Sequence, residues 1–357
     1  MVELNDILKE ALRLEASDVF IIPGLPLTYK VLGKQDRSNE ILHPDDTETI
    51  VRAIYTQCGR HNRVLEDETF DDDFSFSIAA LGRFRANVFH QRSSLAVVLR
   101  VIRFGLPDAS RLGIPASVMR AADIRNGLIL VTGATGSGKS TTLACMIDHI
   151  NRSREGHIIT MEDPIEFVHR HDRCIVTQRE IGNDVVDYIH ALRSALRESP
   201  DVILLGEMRD HETIEVAMTA AETGILLFST LHTQGAANAV DRIIDIYPAG
   251  QQNQIRLQLA MMLRCVISQQ LIPTIDGQVT AVFEVMYANT AIRSLIREGK
   301  THQIDATIRS GASEGMIAMD ESIYDLFKKG RITQETAVKY CNNPEAMERR
   351  LNATVGF

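Results

Sequence analysis

A glycine-rich turn is the stretch of this chain whose residue types and spacing most clearly predict chemistry. Its residues, Gly133-Ala-Thr-Gly-Ser-Gly-Lys139-Ser140-Thr141, fit the pattern G-x-x-x-x-G-K-[ST]. The apolar run before the turn, 128–132, predicts a buried strand, and the segment after it predicts a helix. A strand, a glycine-rich turn and a helix in this order are the context that a phosphate-binding loop requires. The pattern therefore predicts a site for a nucleoside triphosphate.

The residues of this turn have different predicted roles. Backbone N–H groups of a glycine-rich turn and the N-terminus of the following helix together form a concave site for anions. Lys139 is expected to reach the β- and γ-phosphates of ATP, and the Ser140 hydroxyl is expected to bind Mg²⁺. The predicted nucleotide-binding set is Thr135, Gly136, Ser137, Gly138, Lys139, Ser140 and Thr141.

Two further strands are predicted to end in carboxylates. Val202–Leu205 leads through Gly206, where an aspartate often stands, to Glu207, which is expected to hold Mg²⁺, partly through water. The run 158–161 leads to Glu162, our candidate for polarising the attacking water. Asp163 and Glu166 are alternatives for that role. Because an open α/β sheet binds ligands at the carboxyl ends of its strands, we expect these acids near the glycine turn.

Other polar residues are weaker candidates. His232 follows the apolar run 226–231 and could sense the γ-phosphate or bridge to Glu207, although a hydrogen-bonded core histidine is the commoner case. Arg83, Arg85 and Arg100 occur far upstream, and alternation places the first two on one face of a strand. Arginines at a surface are usually solvated. They are candidates here because phosphoryl transfer often uses a guanidinium supplied from elsewhere, including a neighbouring subunit.

Composition limits the class of protein. The 357 residues are enough for two domains, and 45% apolar residues is ordinary for a globular protein. A net charge of −9 argues against a nucleic-acid motor, so no nucleic-acid partner is expected. No apolar run is long enough to span a bilayer, which predicts a cytoplasmic protein. The five cysteines are scattered, which predicts reduced thiols and neither a disulfide framework nor a metal site.

The elements that must position these residues fall into two predicted domains. In residues 1–103, helices at 4–14 and 45–58 and strands at 19–22, 27–32, 74–78, 83–89 and 95–102 predict a small α+β domain. Residues 104–115 have the glycine and proline content of a linker. Residues 116–357 alternate strands (128–132, 158–161, 202–205, 226–231) with helices (140–151, 185–197, 211–222, 236–246), which predicts a parallel sheet. After Pro273 we predict a short strand pair, and then mostly helix from about 289 to 357.

Four segments together resemble the secretion ATPases, and within them the retraction ATPases of type IV pili. These segments are 161–169 (Met-Glu-Asp-Pro-Ile-Glu-Phe-Val-His), 206–210 (Gly-Glu-Met-Arg-Asp), 229–233 (Ser-Thr-Leu-His-Thr) and 291–300 (Ala-Ile-Arg-Ser-Leu-Ile-Arg-Glu-Gly-Lys). They are similar to the Asp box, Walker B segment, His box and retraction hallmark of that family. The chain has no paired-cysteine zinc site of the extension ATPases, which favours the retraction group.

The resemblance implies a fold, an assembly and a function. It implies a PAS-like N-terminal domain, a RecA-like ATPase domain and a homohexameric ring, with nucleotide between the domains and arginines of the first domain reaching it. In this chain the resemblance assigns the role of reaching the nucleotide most readily to Arg85 and Arg100, and less readily to Arg83. It also implies ATP-driven pilus retraction through an inner-membrane platform protein, at the inner face of the cytoplasmic membrane. Residues 291–300 would then serve retraction and not hydrolysis, although composition alone favours an amphipathic surface helix.

Other classes of function remain open at this point. A related ATPase of a type II or type IVB secretion system, or a pilus paralogue, would carry the same catalytic residues. A nucleotide switch that binds ATP without hydrolysis is disfavoured by the acids at 162 and 207. A DNA translocase could share the RecA-like core, but the acidic balance and the lack of a basic tract count against it.

Overall fold

The computed structural model describes residues 3–60, 64, 69–78, 81–102 and 105–355. The chain forms two compact units, Met1–Gly105 and Leu106–Phe357. The predicted end of the first domain at residue 103 and the predicted start of the linker at Phe104 lie outside the described residues.

In the part of the first unit that the structure describes, the chain forms a six-stranded antiparallel sheet with two α-helices. Its elements are α1 (Leu4–Arg13), β1 (Asp18–Ile21), β2 (Pro26–Val31), β3 (Lys34–Ile41), α2 (Pro44–Cys58), β4 (Asp72–Ile78), β5 (Gly82–Gln91) and β6 (Ser94–Ile102), with strand order β3-β2-β1-β6-β5-β4. In α1 the apolar residues recur at helical spacing and are buried: Leu4, Ile7, Leu8 and Ala11. The sequence missed β3, because this edge strand has eight exposed residues and so lacks a hydrophobic pattern.

The second unit is built on a seven-stranded sheet. Its strands are β7 (Gly127–Thr132), β8 (Gly156–Glu162), β9 (Cys174–Glu180), β10 (Val202–Leu205), β11 (Leu226–Leu231), β12 (Leu263–Pro273) and β13 (Val279–Tyr287). Its α-helices are α3 (Ala116–Arg120), α4 (Lys139–Ser153), α5 (Tyr188–Ala195), α6 (His211–Glu222), α7 (Ala236–Asp245), α8 (Ala249–Met262), α9 (Thr290–Arg297), α10 (Ile304–Ser310), α11 (Met319–Lys328), α12 (Gln334–Tyr340) and α13 (Pro344–Val355). The strand order is β13-β12-β7-β11-β10-β8-β9, and all neighbours are parallel except β12 and β13.

Strand β7 lies near the middle of this sheet and is buried along its whole length. Leu128 and Leu130 pack in a core with residues of α5, α6 and α7, whereas Ile129 and Val131 pack in another core that includes residues of α4. Helices cover both faces, which is why the strand reads as a continuous apolar run. In register, Leu205 pairs with Met161 and Ser229, and Leu231 pairs with Thr132. The carboxyl ends of β7, β8, β10 and β11 therefore meet at one edge.

Two predictions for this unit were wrong in detail, and two elements were missed. The strand pair does not follow Pro273: β12 ends there, and its partner β13 begins at Val279. Strand β9 and helix α8 were missed, and α5 is shorter than the predicted 185–197. Helix α8 ends at Met262, and β12 begins at the next residue, Leu263. No glycine or proline marks this boundary, so the sequence carried no signal for the end of the helix.

Two other expectations concern the chain as a whole. All five cysteines are free thiols; Cys145, Cys174 and Cys265 are buried, and Cys58 and Cys341 are partly buried. Among the described residues, every helix is too short or too polar to cross a membrane.

Candidate nucleotide-binding and hydrolysis site

The glycine turn joins the end of β7 to the start of α4. Gly138 has a φ of 88° at the first position before the helix, a left-handed conformation that a residue with a side chain adopts only at a cost. Helix α4 then starts at Lys139, and its free N–H groups face the turn. A cavity of about 510 Å³ opens beside the turn. Its walls bring together most of the predicted site residues, namely Thr135, Gly136, Gly138, Lys139, Ser140, Thr141, Glu162, Glu207 and His232.

Lys139 lies inside the turn. Its Nζ donates to the carbonyl oxygens of Gly133 and Ala134, at 2.8 and 3.0 Å, and the residue is only 8% exposed. Burial lowers the pKa of the ammonium, while the negative charges of Glu207 and Glu166 act in the opposite direction. A desolvated cation at this point supplies the charge that phosphate oxygens need.

Ser140 lines the part of the cavity that is expected to bind a metal ion. Its Oγ donates to Oε1 of Glu166 at 3.1 Å. A hydroxyl and carboxylates form an oxygen donor set of the kind that Mg²⁺ prefers. The chain's own residues therefore fit the predicted ion, with Glu166 as an additional acid at that position.

Glu207 lies at the end of β10 and connects two parts of the site. Its carboxylate is 12% exposed, and Oε2 contacts Arg209 Nε at 2.7 Å and His232 Nε2 at 3.3 Å. His232 Nδ1 in turn lies 3.5 Å from Thr135 Oγ1 in the glycine turn. Bonding to Glu207 raises the pKa of the Arg209 guanidinium. Of the two alternatives for His232, the bridge to Glu207 is the contact seen, and it extends to the turn.

Glu162 ends β8, and its carboxyl accepts hydrogen bonds from side chains on β8 and β9. Its Oε1 accepts from Thr160 Oγ1 at 2.7 Å and from Gln178 Nε2 at 3.3 Å. Burial raises the pKa of this carboxyl to about 7, although the two hydrogen bonds act to lower it and the nearby Glu166 charge acts to raise it. A carboxyl with a pKa near neutrality suits an acid that takes a proton during turnover.

Gln178 holds the hydrogen-bond pattern around Glu162. It lies on β9, accepts from the backbone N–H of His169 at 2.8 Å and donates to the Phe167 carbonyl at 2.9 Å. These bonds fix which end of the amide faces the acid. The neighbouring His169 is buried, and its burial lowers the pKa of the imidazole to about 4, so the ring is neutral. Gln178 was not predicted as a site residue because β9, the strand that carries it, was not predicted.

Gly206 stands where a Walker strand often has aspartate, and packing explains the difference. A Cβ at this position would lie 2.7 Å from Tyr188 Oη and 3.1 Å from the Met161 carbonyl. Burial raises the pKa of the Tyr188 phenol, with smaller effects from the nearby acids. Tyr188 on α5 therefore occupies the space next to the strand end, and a side chain at position 206 would have to displace its hydroxyl. Neither Tyr188 nor Arg209 was predicted as part of the site.

The three candidate arginines lie in the first unit. Arg85 on β5 and Arg100 on β6 are register partners, so their side chains share one face of the sheet. Arg85 pairs with Asp73 at 2.6 Å, Arg100 pairs with Asp18 at 3.1 Å, and Arg83 contacts Ser77 Oγ at 3.4 Å. Their role at a nucleotide stays a prediction.

The segment 291–300 folds mostly as helix α9. Ile292 and Ile296 are buried, and Asn289 caps the helix through the N–H of Ile292 at 3.0 Å. The side chains of Arg297 and Lys300 bond to Ser294 and Glu298, which belong to the same segment. This amphipathic pattern agrees with the surface helix that composition favoured. Its role in retraction is not decided by this packing.

The fold and the site define a P-loop nucleotide-binding protein. A glycine turn lies between a central strand and a helix, and acids lie at the ends of β8 and β10, with β11 between β7 and β10. The predicted fold class, a RecA-like α/β domain after a small α+β domain, is confirmed.

Comparison with known proteins gives the family. The model of the type II/IV secretion system protein family matches residues 1–350, and the chain belongs to this family. The chain is 43% identical to the type IV pilus retraction ATPase PilT of Pseudomonas aeruginosa over 343 residues, which cover 96% of this chain and 99% of that protein. It is 46% identical to a twitching motility protein of Neisseria gonorrhoeae over 301 residues, 84% of this chain and 80% of that one.

A solved structure supports the same relationship. The crystal structure of the pilus retraction motor PilT with bound ADP matches with a TM-score of 0.90 at 43% identity, covering 98% of this chain and 100% of that one. The resemblance drawn from the sequence motifs is therefore confirmed.

Proposed function

We propose that this chain is an ATP-hydrolysing motor that powers retraction of type IV pili, and thereby twitching motility. The observation that carries the proposal is the cavity beside the glycine turn, which is lined by a buried lysine and by carboxylates at the ends of two different strands. The near-full-length similarity to a pilus retraction ATPase supports the biological role.

The geometry supports a division of labour among the residues. The amides of the glycine turn and Lys139 bind the β- and γ-phosphates, and a Mg²⁺ ion held by Ser140 and, partly through water, by Glu207 would neutralise charge on them. Glu162 orients a water and takes its proton as the water oxygen attacks the γ-phosphorus and the bond to ADP breaks. The open alternative is that Glu207 activates the water. His232 couples Glu207 to the turn.

The proposal extends to assembly and location. Six copies form a ring, and Arg85 and Arg100, with Arg83 less directly, supply positive charge to the nucleotide. The ring works in the cytoplasm against the inner face of the cytoplasmic membrane, where it drives an inner-membrane platform protein. Helix α9 and the residues up to Lys300 serve retraction. No nucleic acid takes part.

The ring hypothesis is tested by mixing two inactive variants. Arg100→Ala subunits combined with Lys139→Ala subunits should recover part of the ATPase activity, because a ring with sites shared between subunits contains some intact sites. Native mass spectrometry confirms that mixed rings form. Mixed rings without recovery at any ratio would contradict arginine donation between subunits.

The biological role is tested in cells. The wild-type gene should restore pilus retraction to a type IV pilus strain without its retraction ATPase, and Lys139→Ala should not. The exposed Lys9, paired with Asp6 in the first unit, gives a matched control in Lys9→Ala. If the strain from which the chain comes still retracts pili normally after deletion of this gene, a paralogue or another secretion ATPase becomes the better reading.

A further inference from the structure

Gln269 is a buried polar residue that no sequence motif singles out. It lies on β12 next to the strand that carries the glycine turn, since the preceding Ser268 pairs with Thr132. Only 3% of the residue is exposed, and both ends of its carboxamide are hydrogen-bonded: Nε2 donates to the Ser137 carbonyl at 2.7 Å, and Oε1 accepts from Thr142 Oγ1 at 2.7 Å. In the reversed amide, Gln269 Oε1 would face the Ser137 carbonyl oxygen, and two acceptors would then oppose each other. This fixes the orientation of the amide.

The glycines of the turn pack directly against this residue. A Cβ at Gly133 would lie 2.2 Å from the Gln269 carbonyl oxygen, and a Cβ at Gly138 would lie 2.8 Å from Gln269 Nε2. The absence of side chains at Gly133 and Gly138 therefore allows β12 and Gln269 to pack directly against the turn.

The bond to Ser137 has a consequence for the phosphate side of the turn. In a trans peptide the C=O of one residue and the N–H of the next point in opposite directions. Because Gln269 draws the Ser137 carbonyl towards β12, the N–H of Gly138 is turned away from β12. The second bond, from Thr142, fixes the first turn of α4 to the same side chain.

We infer that Gln269 is a positioning residue for nucleotide binding, which holds the glycine turn and the start of α4 in the conformation that receives phosphate. This rests on the proposed nucleotide site. Gln269 acts through the backbone of the turn and not by touching the nucleotide, so its loss weakens phosphate binding more than it weakens the fold.

The test compares two neighbouring glutamines in the full-length chain. Gln269→Met keeps the length of the side chain but removes both hydrogen bonds. Gln270→Met is the matched control, because Gln270 follows on the same strand, is partly buried and donates to the Tyr340 carbonyl at 3.0 Å, away from the turn. Affinity for Mg²⁺-ADP and the unfolding midpoint without nucleotide are measured for each variant.

We expect Gln269→Met to weaken ADP binding about tenfold or more, since two buried hydrogen bonds to the binding loop are lost. Gln270→Met should bind ADP with the affinity of the wild type, even if its unfolding midpoint falls as much as that of Gln269→Met. Equal ADP affinity of Gln269→Met and wild type would overturn the inference and leave Gln269 a core residue.

A second variant covers a failure of Gln269→Met to fold. Gln269→Glu keeps the acceptor for Thr142 but sets a carboxylate oxygen against the Ser137 carbonyl, so it should also weaken ADP binding; unchanged affinity contradicts the inference. Because binding and not turnover is measured, loss of hydrolysis in the wild type leaves the test intact. A wild type that does not bind ADP would instead refute the proposed function, and this inference with it.

Discussion

The two halves of the site are built in different ways. The phosphate half is one short segment, 133–141, whose conformation depends on glycine backbone and on a buried lysine bonded to carbonyls of the same segment. The acidic half is assembled from the ends of separate strands, and its carboxylates contact side chains from elsewhere in the chain. Glu162 accepts a hydrogen bond from Gln178 on β9. Glu207 is contacted by Arg209 and by His232, which follows β11.

This difference suggests which half tolerates adjustment. In the phosphate half the backbone provides the binding groups, so its geometry is set before nucleotide arrives. In the acidic half the charge state depends on burial and on a few donors, so protonation of Glu162 near neutral pH alters the chemistry without altering the fold. Substitutions in the acidic half should therefore reduce turnover while nucleotide still binds.

The largest effect is expected for the two acids themselves. Glu162→Gln should lower the turnover number about 10²-fold or more at saturating Mg²⁺, since a proton acceptor is lost, while ADP binds normally. Glu207→Gln should also lower turnover and should raise the Mg²⁺ concentration needed for half-maximal activity. Mg²⁺ titrations of phosphate release measure both.

Glu212→Gln, at an exposed glutamate paired with Arg193, is the control for these variants. If instead Glu207→Gln keeps the wild-type Mg²⁺ requirement and Glu162→Gln changes it, the roles of the two acids are exchanged.

A steric substitution at the strand end should have an intermediate effect. Gly206→Ala places a Cβ against Tyr188 Oη, so we expect Glu207 to shift and turnover to fall about tenfold, as a small displacement of a catalytic group commonly costs that much or more. Tyr188→Phe removes the hydroxyl, and the double variant should recover part of the loss. A double variant no better than Gly206→Ala would show that the Met161 carbonyl is the decisive obstacle.

The pH dependence of turnover should shift when Gln178 is changed. The wild-type turnover number should fall as pH drops through about 7, because Glu162 then gains a proton. Gln178→Leu removes a donor that favours the charged carboxylate, so the pKa of Glu162 rises and the acid limb moves to higher pH. Gln270→Leu is the control. An unmoved limb in Gln178→Leu would mean that another group governs it.

The smallest expected effect is on stability. The pKa of Glu162 is raised from 4.5 to about 7 in the folded chain, so the folded state binds the proton more tightly than the unfolded state. Stability associated with this group is therefore lost as pH rises between these two values. At pH 8 Glu162→Gln should raise the unfolding midpoint by about 2–4 °C, and at pH 4 the two proteins should unfold alike. A lower midpoint at pH 8 would contradict the account.

The contrast between the halves also explains what the sequence could predict. The phosphate turn is contiguous and its strand is a plain apolar run, so motif, strand and helix were all found in the structure. The parallel sheet, and the edge of it at which the acids lie, followed from the alternation of strands and helices, whereas the strand order was not predicted. Strand β9 was missed because Cys174–Glu180 mixes exposed and buried positions. Gln178, which lies on this strand, was therefore not predicted as a site residue.

Long-range packing was the other source of misses. Gln269 and Tyr188 reach the site only because β12 lies beside β7 and α5 lies beside the end of β10. No local pattern predicts such contacts. The arginines of the first unit remain predictions for the same reason, since their role depends on the assembly.

The most direct test of the central claim, that ATP bound at the glycine turn is hydrolysed by acids on neighbouring strands, is phosphate release by purified protein. The wild type should release phosphate from ATP steadily, and Lys9→Ala should do the same. Lys139→Ala, which removes the ammonium from inside the turn, should release none above background. Wild-type phosphate release by Lys139→Ala would contradict the assignment of this site.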